Sequence, residues 1–273
     1  DTVEISREYC NFLTGNFSSQ QLLCGSVFRG CDQDLRCESA VKRIWLDIFD
    51  SPSLESAKRV LDQEITVFQH FRHSNIVRLY GKVCSLDHLR IFVYELGSQL
   101  SLERILKHVS QSLDWTRRIS ILLDASKGLY FLHTGANQAK YRLYHRDFKS
   151  SNIIVTKNHE AKLIDFRLSE FDESAAPSAA AVPSKCGNVL VGTLGYRCPK
   201  YEKTHGFKYL AACDIFSLGV VMAELITGYL SRQPLSTMPS ARKGGNNGMA
   251  LYDFFILPPE DEEEDGPADM MDH

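Results

Sequence analysis

A short polar loop that runs directly into an apolar β-branched strand is the feature that most constrains this chain. The loop and strand extend from Tyr144 to Val155 and read YHRDFKSSNIIV. A second segment, from Ala161 to Leu168, reads AKLIDFRL and again delivers an aspartate to the end of a short strand. A polar loop backed by such a strand holds its side chains rigidly at a surface that water and ligands reach. The two segments therefore predict a site built for chemistry.

The residue types in these segments suit phosphoryl transfer. Asp147 and Asp165 supply carboxylates, and Asn152 supplies an amide oxygen. Enzymes catalyse this reaction mostly by positioning the reactants and neutralising phosphate charge, which requires an acid beside the hydroxyl and oxygen ligands for metal ions. The loops therefore contain the groups that this reaction needs.

Together the two segments resemble the catalytic loop and the metal-binding strand end of eukaryotic protein kinases, H-R-D-x-K-x-x-N and D-F-G. The resemblance implies that Asp147 orients the acceptor hydroxyl, that Lys149 steadies the γ-phosphate of ATP, and that Asn152 and Asp165 hold Mg²⁺. The lysine at this position is typical of serine/threonine kinases, so a Ser or Thr of a protein substrate is the expected acceptor. Two solvated loop acids are the simpler alternative, but the number of matching positions weighs against it.

A strand and a helix in the amino-terminal half extend the resemblance. The segment Ser39-Ala40-Val41-Lys42 is similar to the kinase strand V-A-I-K, whose lysine pairs with the ATP phosphates and with a helix glutamate. Ala40 and Lys42 are therefore expected to line the ATP site. Glu64 shares a helical row with Phe68 within a helix predicted from Ser56 to Phe71, so it is the preferred partner. Nearby alternatives are Glu55 and Asp62.

The same resemblance supplies the other residues expected to bind ATP. Gly25 and Val27 are the remaining matches to the glycine-rich loop G-x-G-x-x-G-x-V, whose backbone amides close over the phosphates. Roughly four residues of the loop tip are missing relative to that pattern, so the loop is predicted to be shortened. Tyr94 corresponds to the gatekeeper, and the backbone of Glu95 and Leu96 corresponds to the hinge that binds adenine.

Regulation is predicted around Arg146 and the segment that follows Asp165. Arg146 precedes the expected catalytic aspartate and is predicted to pair with a phosphate on the segment from Glu170 to Val191. Arg167 stands where the family has a glycine. Glycine permits the backbone flip that moves the metal-binding strand end in and out of the site, and arginine narrows that conformational freedom. Lys200 replaces the glutamate of the A-P-E motif. The candidate phosphorylation sites are Ser169, Ser174, Ser178, Ser184 and Thr193.

The resemblance implies an α+β, two-lobed protein-kinase fold. The lead-in Thr14-Gly15-Asn16-Phe17-Ser18, and the gatekeeper Tyr94 followed by the hinge and Ser101-Leu102-Glu103, resemble the receptor-like, Pelle and IRAK group. The expected N-lobe, residues 12–95, has an antiparallel sheet and helix C, and the expected C-lobe, residues 96–228, is mainly helical. The helix beginning at Asp214 resembles the buried D-x-[YW]-S-x-G helix, with Asp214 bracing the catalytic loop. Residues 229–273 are predicted to be irregular and acidic. Because the last helices of the family have no counterpart there, the chain is expected to be C-terminally truncated.

Composition limits the possible partners. The 273 residues are 44% hydrophobic and 24% charged, enough for two lobes with a sizeable core. A net charge of −3 argues against nucleic-acid or anionic-membrane binding. The eight cysteines lack metal spacing and are expected to be reduced thiols, and no apolar run is long enough to span a membrane. The expected location is cytoplasmic, or the cytoplasmic face of a membrane if the chain belongs to a receptor.

Two functions of different classes follow from these features. The first is phosphorylation of Ser or Thr in a protein, with ATP and Mg²⁺ as cofactors. The second is a pseudokinase that acts as a binding scaffold, which the short glycine loop, Arg167 and Lys200 favour. A third interpretation is a fragment with exposed apolar surface that is prone to aggregate. The enzyme is the favoured hypothesis because every ionisable group that the chemistry needs is retained.

Overall fold

Six strands form a sheet in the amino-terminal part of the molecule. The computed structural model describes residues 3–32, 37–45, 64–83, 89–96, 100–109, 113–135, 142–172, 190–203 and 209–231. The strands are β1 (Val3–Glu4), β2 (Leu22–Cys24), β3 (Val27–Asp32), β4 (Cys37–Trp45), β5 (Leu79–Val83) and β6 (Leu89–Glu95). Their order is β1-β5-β6-β4-β3-β2, and all neighbours are antiparallel except β1 and β5. The predicted antiparallel sheet is confirmed, with β1 as an unpredicted parallel strand at one edge.

Apolar side chains on successive positions of β6 give this sheet two buried faces, because neighbouring residues of a strand point in opposite directions. Ile91 and Val93 lie in a small core that helix α1 (Arg7–Thr14) helps to cover. Phe92 and Tyr94 belong instead to the main core of the molecule. The sheet is therefore closed on one face by α1 and joined to the rest of the chain through the other.

A helix at residues 64–70, α2, packs in the main core beside Phe92 and Tyr94. Its buried side chains include Ile65, Val67 and Phe68. The earlier part of the predicted helix, before residue 64, lies outside the described residues. Helix α2 therefore carries Glu64 at the start of its described part, next to the sheet.

The carboxyl-terminal part is mainly helical, as predicted. Its helices are α3 (Leu102–Val109), α4 (Trp115–Thr134), α5 (Pro199–Lys203) and α6 (Ala211–Thr227). Short strands form two small sheets, one with the order β10-β9-β7 and one with β11-β8. These strands are β7 (Leu100–Ser101), β8 (Leu143–Tyr144), β9 (Ile153–Val155), β10 (Ala161–Leu163) and β11 (Glu170–Phe171). The loop between β8 and β9 and the turn after β10 contain the acids that the sequence singles out.

The sequence predicts a long helix that begins at Leu113-Asp114-Trp115 and ends at about His133, and helix α4 has this length but buries a different face. The predicted face consists of Ile119, Leu122, Ser126, Leu129 and Leu132. Helix α4 begins after Asp114, whose carboxylate accepts the backbone N–H of Arg117 at 2.8 Å as an N-cap. Leu129 and Leu132 are buried as predicted, whereas Ile119 is 56% exposed. Apolar residues occur all around this helix, so periodicity did not single out one face. The side chains that do face the core are Ile121, Ala125, Gly128, Leu129 and Leu132.

Helix α6 passes through the carboxyl-terminal core. Its buried residues include Asp214, Val220, Val221 and Leu225. This agrees with the expectation that the helix beginning at Asp214 is buried. Across the part of the chain that the structure describes, no helix is both long and apolar enough to cross a bilayer. Lys200, in α5, is exposed.

Two helix glycines offer a matched test of how α4 packs. A Cβ on Gly128 would lie 2.8 Å from the carbonyl oxygen of Asn75 and 3.0 Å from Cδ1 of Leu163. Asn75 is itself fixed, because its side-chain amide donates to the carbonyl of Ala161 at 3.0 Å. A Cβ on Gly219 in α6 would meet nothing within 4 Å. The two positions therefore differ in available space while both lie inside helices.

Gly128→Ala is expected to lower the free energy of unfolding by about 1–3 kcal/mol because the added methyl group overpacks a rigid contact. Gly219→Ala is expected to raise it by up to about 1 kcal/mol, because alanine loses less backbone entropy in a helix. Urea-induced unfolding followed by circular dichroism measures both. A stabilising effect of Gly128→Ala equal to that of Gly219→Ala would contradict the packing described here.

Candidate active site

Asp214 of helix α6 fixes the backbone of the loop that precedes β9. Its carboxylate accepts the backbone N–H of His145 at 2.8 Å and that of Arg146 at 3.0 Å. It also accepts the Tyr209 hydroxyl at 2.7 Å and lies 2.8 Å from Nε2 of His133. Burial raises the pKa of Asp214, but the hydrogen bonds and the charge of His133 outweigh burial, so the pKa lies below its ordinary value. The predicted bracing of the loop by Asp214 is present in the structure.

The loop presents Asp147 inside a set of hydrogen bonds. Oδ1 of Asp147 accepts the Thr193 hydroxyl at 2.6 Å, and Oδ2 lies 2.7 Å from Nζ of Lys149. The side-chain amide of Asn152 donates to the backbone carbonyl of Asp147 at 2.8 Å and to Oδ2 at 3.2 Å. Lys149 also donates to the Thr193 hydroxyl at 2.6 Å. Three other residues singled out in the sequence, Lys149, Asn152 and Thr193, therefore orient the carboxylate of Asp147.

Thr193 has a different environment from the one expected of a phosphorylation site. Thr193 is one of several candidate phosphorylation sites in the sequence, yet its hydroxyl lies between Asp147 and Lys149. A phosphate on this oxygen would place two negative charges against the carboxylate of Asp147. The structure therefore gives Thr193 a positioning contact, which sequence reasoning did not find.

The turn after β10 directs Asp165 into the space between the sheet and the helices. Asp165 has a left-handed backbone, with φ of 65°. The next residue, Phe166, is buried and packs edge-on against Phe68 of α2, with ring centroids 5.3 Å apart. It also contacts the ring of His145 at 5.2 Å. These ring contacts hold Phe166 on one side of the backbone. The side chain of its neighbour Asp165 therefore points to the opposite side.

Lys42 of β4 joins Glu64, its predicted partner, to Asp165, a contact that was not predicted. Its Nζ lies 3.4 Å from Oε1 of Glu64 and 3.3 Å from Oδ1 of Asp165. The Tyr94 hydroxyl donates to the same Glu64 oxygen at 2.8 Å, and burial, followed by the charge of Glu64, raises the pKa of Tyr94. Glu64 is thus the observed partner of Lys42. The alternatives Glu55 and Asp62 lie outside the described residues.

Arg167 binds Asp165 through its side chain. Its Nε donates to Oδ1 at 2.7 Å, and an Nη donates to Oδ2 at 2.8 Å. Burial raises the pKa of Asp165, but the hydrogen bonds from Arg167 and the charge of Lys42 outweigh burial and hold it far below its ordinary value. This side-chain contact was not predicted, because the prediction for Arg167 concerned only its backbone freedom. The sequence signal for this contact was an arginine, whose guanidinium carries paired N–H donors, two residues after Asp165.

A cavity of about 390 Å³ lies between the sheet and the helical part, beside Lys42 and Asp165. It is large enough for a small-molecule ligand. An unpredicted ion pair lies in its wall, where Nζ of Lys162 is 2.5 Å from Oε1 of Glu95. The cavity brings together all the residues predicted to bind ATP, which are Gly25, Val27, Ala40, Lys42, Tyr94, Glu95 and Leu96. It also includes Asn152, Asp165 and Arg167.

The turn between β2 and β3 borders this cavity. Cys24 pairs with Val27, so only Gly25 and Ser26 form the turn, and Gly25 has a left-handed φ of 51°. A residue without a Cβ adopts that conformation at little cost. The predicted shortening of the glycine-rich loop is therefore confirmed in the geometry of the hairpin.

The guanidinium of Arg146 already has a carboxylate partner. It forms an ion pair with Glu170 of β11 and a 3.4 Å hydrogen bond with the Tyr201 hydroxyl. It also lies 5.6 Å from the centre of the Tyr209 ring. A phosphate bound by Arg146 would have to compete with Glu170. The predicted phosphate pairing stays a prediction, since residues 173–189 lie outside the described residues.

Comparison with known protein families identifies the family of this chain. The protein kinase domain model matches residues 23–262, which includes every element of the site. The chain belongs to the protein kinase family. The match continues past Gly228, where the kinase motifs recognised in the sequence end. The recognition made from the catalytic loop is therefore confirmed.

Individual kinases that resemble this one come from Arabidopsis thaliana. A probable serine/threonine-protein kinase, PBL8, is 34% identical over 206 residues, covering 75% of this chain and 47% of its own. PTI1-like tyrosine-protein kinase 2 is 32% identical over 240 residues, covering 84% and 61%. A probable leucine-rich repeat receptor-like protein kinase is 37% identical over 172 residues, covering 63% and 14%. The chain spans about half the length of PBL8, and the likeness to receptor-like kinases agrees with the predicted group.

Protein kinases in general use ATP and divalent metal ions, and the position expected to hold a metal ion in this chain is at Asp165 and Asn152. Asp165 and Asn152 offer oxygen donors, which is the type that Mg²⁺ prefers. Both carboxylate oxygens of Asp165, however, accept hydrogen bonds from Arg167. Among the described residues, no group of three or more His, Cys, Asp or Glu side chains is arranged to hold a metal. As arranged, Asp165 does not fit a metal ion while Arg167 stays bound.

Proposed function

We propose that this kinase transfers the γ-phosphate of ATP to a serine or threonine hydroxyl of a protein. The observation that carries the proposal is the Asp147 carboxylate, oriented by Thr193 and held 2.7 Å from the Lys149 ammonium. An acid fixed beside a cation suits a reaction in which a hydroxyl loses a proton next to a charged phosphate.

The roles of the loop residues follow from these contacts. The substrate hydroxyl oxygen forms a bond to the γ-phosphorus, its proton passes to Asp147, and the bond to the β-phosphate oxygen breaks to leave ADP. Lys149 neutralises charge on the transferred group. Lys42, fixed by Glu64, holds the α- and β-phosphates in the cavity that Tyr94 borders.

A second cavity supports a protein as the acceptor. It has a volume of about 1100 Å³ and reaches the loop residues Lys149 and Ser151 together with Thr193. Its wall also includes Arg118 and Tyr196, so an extended peptide would meet both charged and aromatic groups. The proposed partner is therefore a protein that presents Ser or Thr, in the cytoplasm or at the cytoplasmic face of a membrane.

The domain boundaries, residues 12–95, 96–228 and 229–273, remain predictions.

A pseudokinase scaffold is the second candidate, and one contact favours it. The guanidinium of Arg167 covers both oxygens of Asp165, an acid expected to hold metal in the chemistry of this family. A scaffold of this kind would bind nucleotide or a protein partner without transferring phosphate. The two candidates therefore differ in turnover and need not differ in nucleotide binding.

Transfer of radioactive phosphate from [γ-³²P]ATP to a degenerate peptide library separates these candidates. The peptides carry Ser, Thr or Tyr as the single acceptor, and the labelled amino acid is identified after hydrolysis. Label on Ser and Thr is the expected result. Label on Tyr alone would overturn the proposed specificity, which matters because one relative is named a tyrosine kinase. If none of the Ser, Thr and Tyr peptides is labelled, the result would favour the pseudokinase scaffold.

Lys42→Met is expected to abolish most of the stabilisation that ATP gives to the folded protein. Methionine fills the space of the stem but leaves Glu64 and Asp165 without their shared cation and the phosphates without Lys42. A ligand at a hundredfold excess over Kd stabilises a protein by about 2.7 kcal/mol. A thermal-shift titration measures the loss. Lys82→Met in β5, outside the cavity, is the matched control and should keep the full shift, and an undiminished shift in Lys42→Met would contradict the assignment.

A further inference from the structure

Arg167 meets Asp165 in the geometry that a guanidinium and a carboxylate favour most. Two N–H groups approach the two oxygens of Asp165, at 2.7 and 2.8 Å. Such paired, charged hydrogen bonds are stronger and more directional than those between neutral groups. The Arg167 side chain is 44% exposed, so it reaches Asp165 from the solvent side of the cavity. The guanidinium therefore covers the carboxylate on the side from which an ion would arrive.

The charged side chains that line the nucleotide cavity balance one another only because Arg167 is present. Three are cations and three are carboxylates, and the two sets pair within the cavity. Removal of the arginine would leave one carboxylate in excess, facing the negative charge of a triphosphate. The cations are Lys42, Lys162 and Arg167, and the carboxylates are those of Glu64, Glu95 and Asp165.

From these contacts we infer that Arg167 acts as a resident cation beside Asp165. Other protein kinases bind a divalent metal ion through the aspartate at the corresponding position. Nucleotide then binds to this kinase without a metal ion on Asp165, and a divalent ion enters there only when the Arg167 side chain moves away. The inference rests on the proposed binding of ATP in the same cavity.

The donor chemistry of arginine supports this role. A guanidinium carries five N–H donors, so two hydrogen bonds to Asp165 leave others for phosphate oxygens. It is always charged and matches phosphate as well as carboxylate. A metal ion, if Asp165 and Asn152 held one, would instead supply Lewis-acid neutralisation of the phosphate charge. Arg167 can therefore join Asp165 to a phosphate through hydrogen bonds, and the acid stays neutralised before the nucleotide arrives.

The test compares how strongly nucleotide binding depends on metal. Isothermal titration calorimetry measures the Kd of a non-hydrolysable ATP analogue, AMP-PNP, once in EDTA and once in Mg²⁺. The proteins are the wild type, Arg167→Gly, which removes the side chain, and Arg167→Lys, which keeps the charge without the fork. Arg72→Gly is the matched control, since Arg72 is exposed beyond α2 and outside the cavity. A thermal melt of each protein checks folding.

For the wild type and Arg72→Gly, the Kd in EDTA is expected to lie within about threefold of the Kd in Mg²⁺, because metal adds little where a resident cation neutralises the acid. For Arg167→Gly, Mg²⁺ should tighten binding by about tenfold or more, because Asp165, freed of Arg167, would then hold an ion that neutralises phosphate charge. Arg167→Lys should fall between the two. Wild-type binding that needs Mg²⁺ as strongly as Arg167→Gly would overturn the inference.

The inference and the proposed function fail in different ways. Suppose that Mg²⁺ changes the Kd for AMP-PNP equally in the wild type and in Arg167→Gly, and that the protein labels Ser and Thr peptides. This result would contradict the role of Arg167 and would leave the proposed function intact. The expected metal dependence in a protein that labels no peptide would support Arg167 as a resident cation and remove the proposed transfer. Absence of AMP-PNP binding to the folded wild type in both solutions would overturn both.

Discussion

Replacement of Asp147 by asparagine is expected to lower kcat for phosphate transfer by about 10²–10⁴-fold, the range that a positioned acid or base contributes. Asparagine keeps the size of the side chain and can accept a hydrogen bond from Thr193, but it cannot take the proton of the substrate hydroxyl. The Kd for ATP should change little, because Asp147 lies outside the residues that line the nucleotide cavity. Initial rates with a labelled peptide, together with a nucleotide titration, measure both quantities.

Asp114→Asn is the matched control for this change. Asp114 caps α4 far along the chain from the loop, and asparagine is an equally good N-cap. Its kcat should therefore equal that of the wild type. If Asp147→Asn retained more than a tenth of the wild-type kcat, a role for Asp147 in moving the proton would be untenable, and the acid would have only a positioning role.

Asp214→Ala is expected to have the largest effect on stability. The substitution leaves four donors without their shared acceptor, two of them backbone N–H groups inside the molecule. Removal of one partner from a buried charged cluster typically costs about 3–5 kcal/mol of the free energy of unfolding. Urea-induced unfolding, followed by circular dichroism and by tryptophan fluorescence, gives this quantity.

Asp114→Ala provides the comparison for the stability measurement. It removes an exposed N-cap carboxylate and should cost about 1 kcal/mol. The same loss for Asp214→Ala and Asp114→Ala would mean that the loop backbone does not depend on its buried acceptor. Because the loop carries Asp147, the folded fraction of Asp214→Ala should also lose phosphate transfer.

The difference in stability between the wild type and Asp214→Ala should depend on pH. The pKa of Asp214 in the folded protein lies below its ordinary value, so the carboxylate contributes stability above the unfolded pKa of about 3.9. That contribution is lost as pH falls through the folded pKa. The gap between the two proteins is therefore expected to be constant from pH 7 to about 5 and to shrink below about 4. A gap that widened in acid would contradict the lowered pKa.

The parts of the site that could be predicted from sequence are those whose geometry is local or repeated across the family. Asp147, Lys149 and Asn152 lie in one loop held by short strands, so their meeting follows from spacing. The pairing of Lys42 with Glu64 joins distant positions, and it was predictable only because the family pattern records that contact. The helix of Asp214 was recognisable for the same reason.

The missed features depend on where a side chain points or on which strands pair. The contact of Arg167 with Asp165 requires a left-handed aspartate and one particular rotamer, and neither is written in a residue pattern. Glu170 reaches Arg146 because β11 pairs with β8, two strands of two residues each that periodicity cannot detect. Strand β1 is too short to be predicted for the same reason.

The two-residue turn at Gly25 and Ser26 affects how long a nucleotide stays bound. A longer glycine-rich loop would lay its backbone amides over the phosphates and would have to open before ADP could leave. Here the hairpin turns back after Cys24, so a nucleotide in the cavity would keep its phosphate end in contact with solvent. We therefore expect rapid exchange of ADP for ATP, with selectivity among nucleotides set mainly by the base. Product release, which limits many enzymes that close over their product, would then not limit turnover in this kinase.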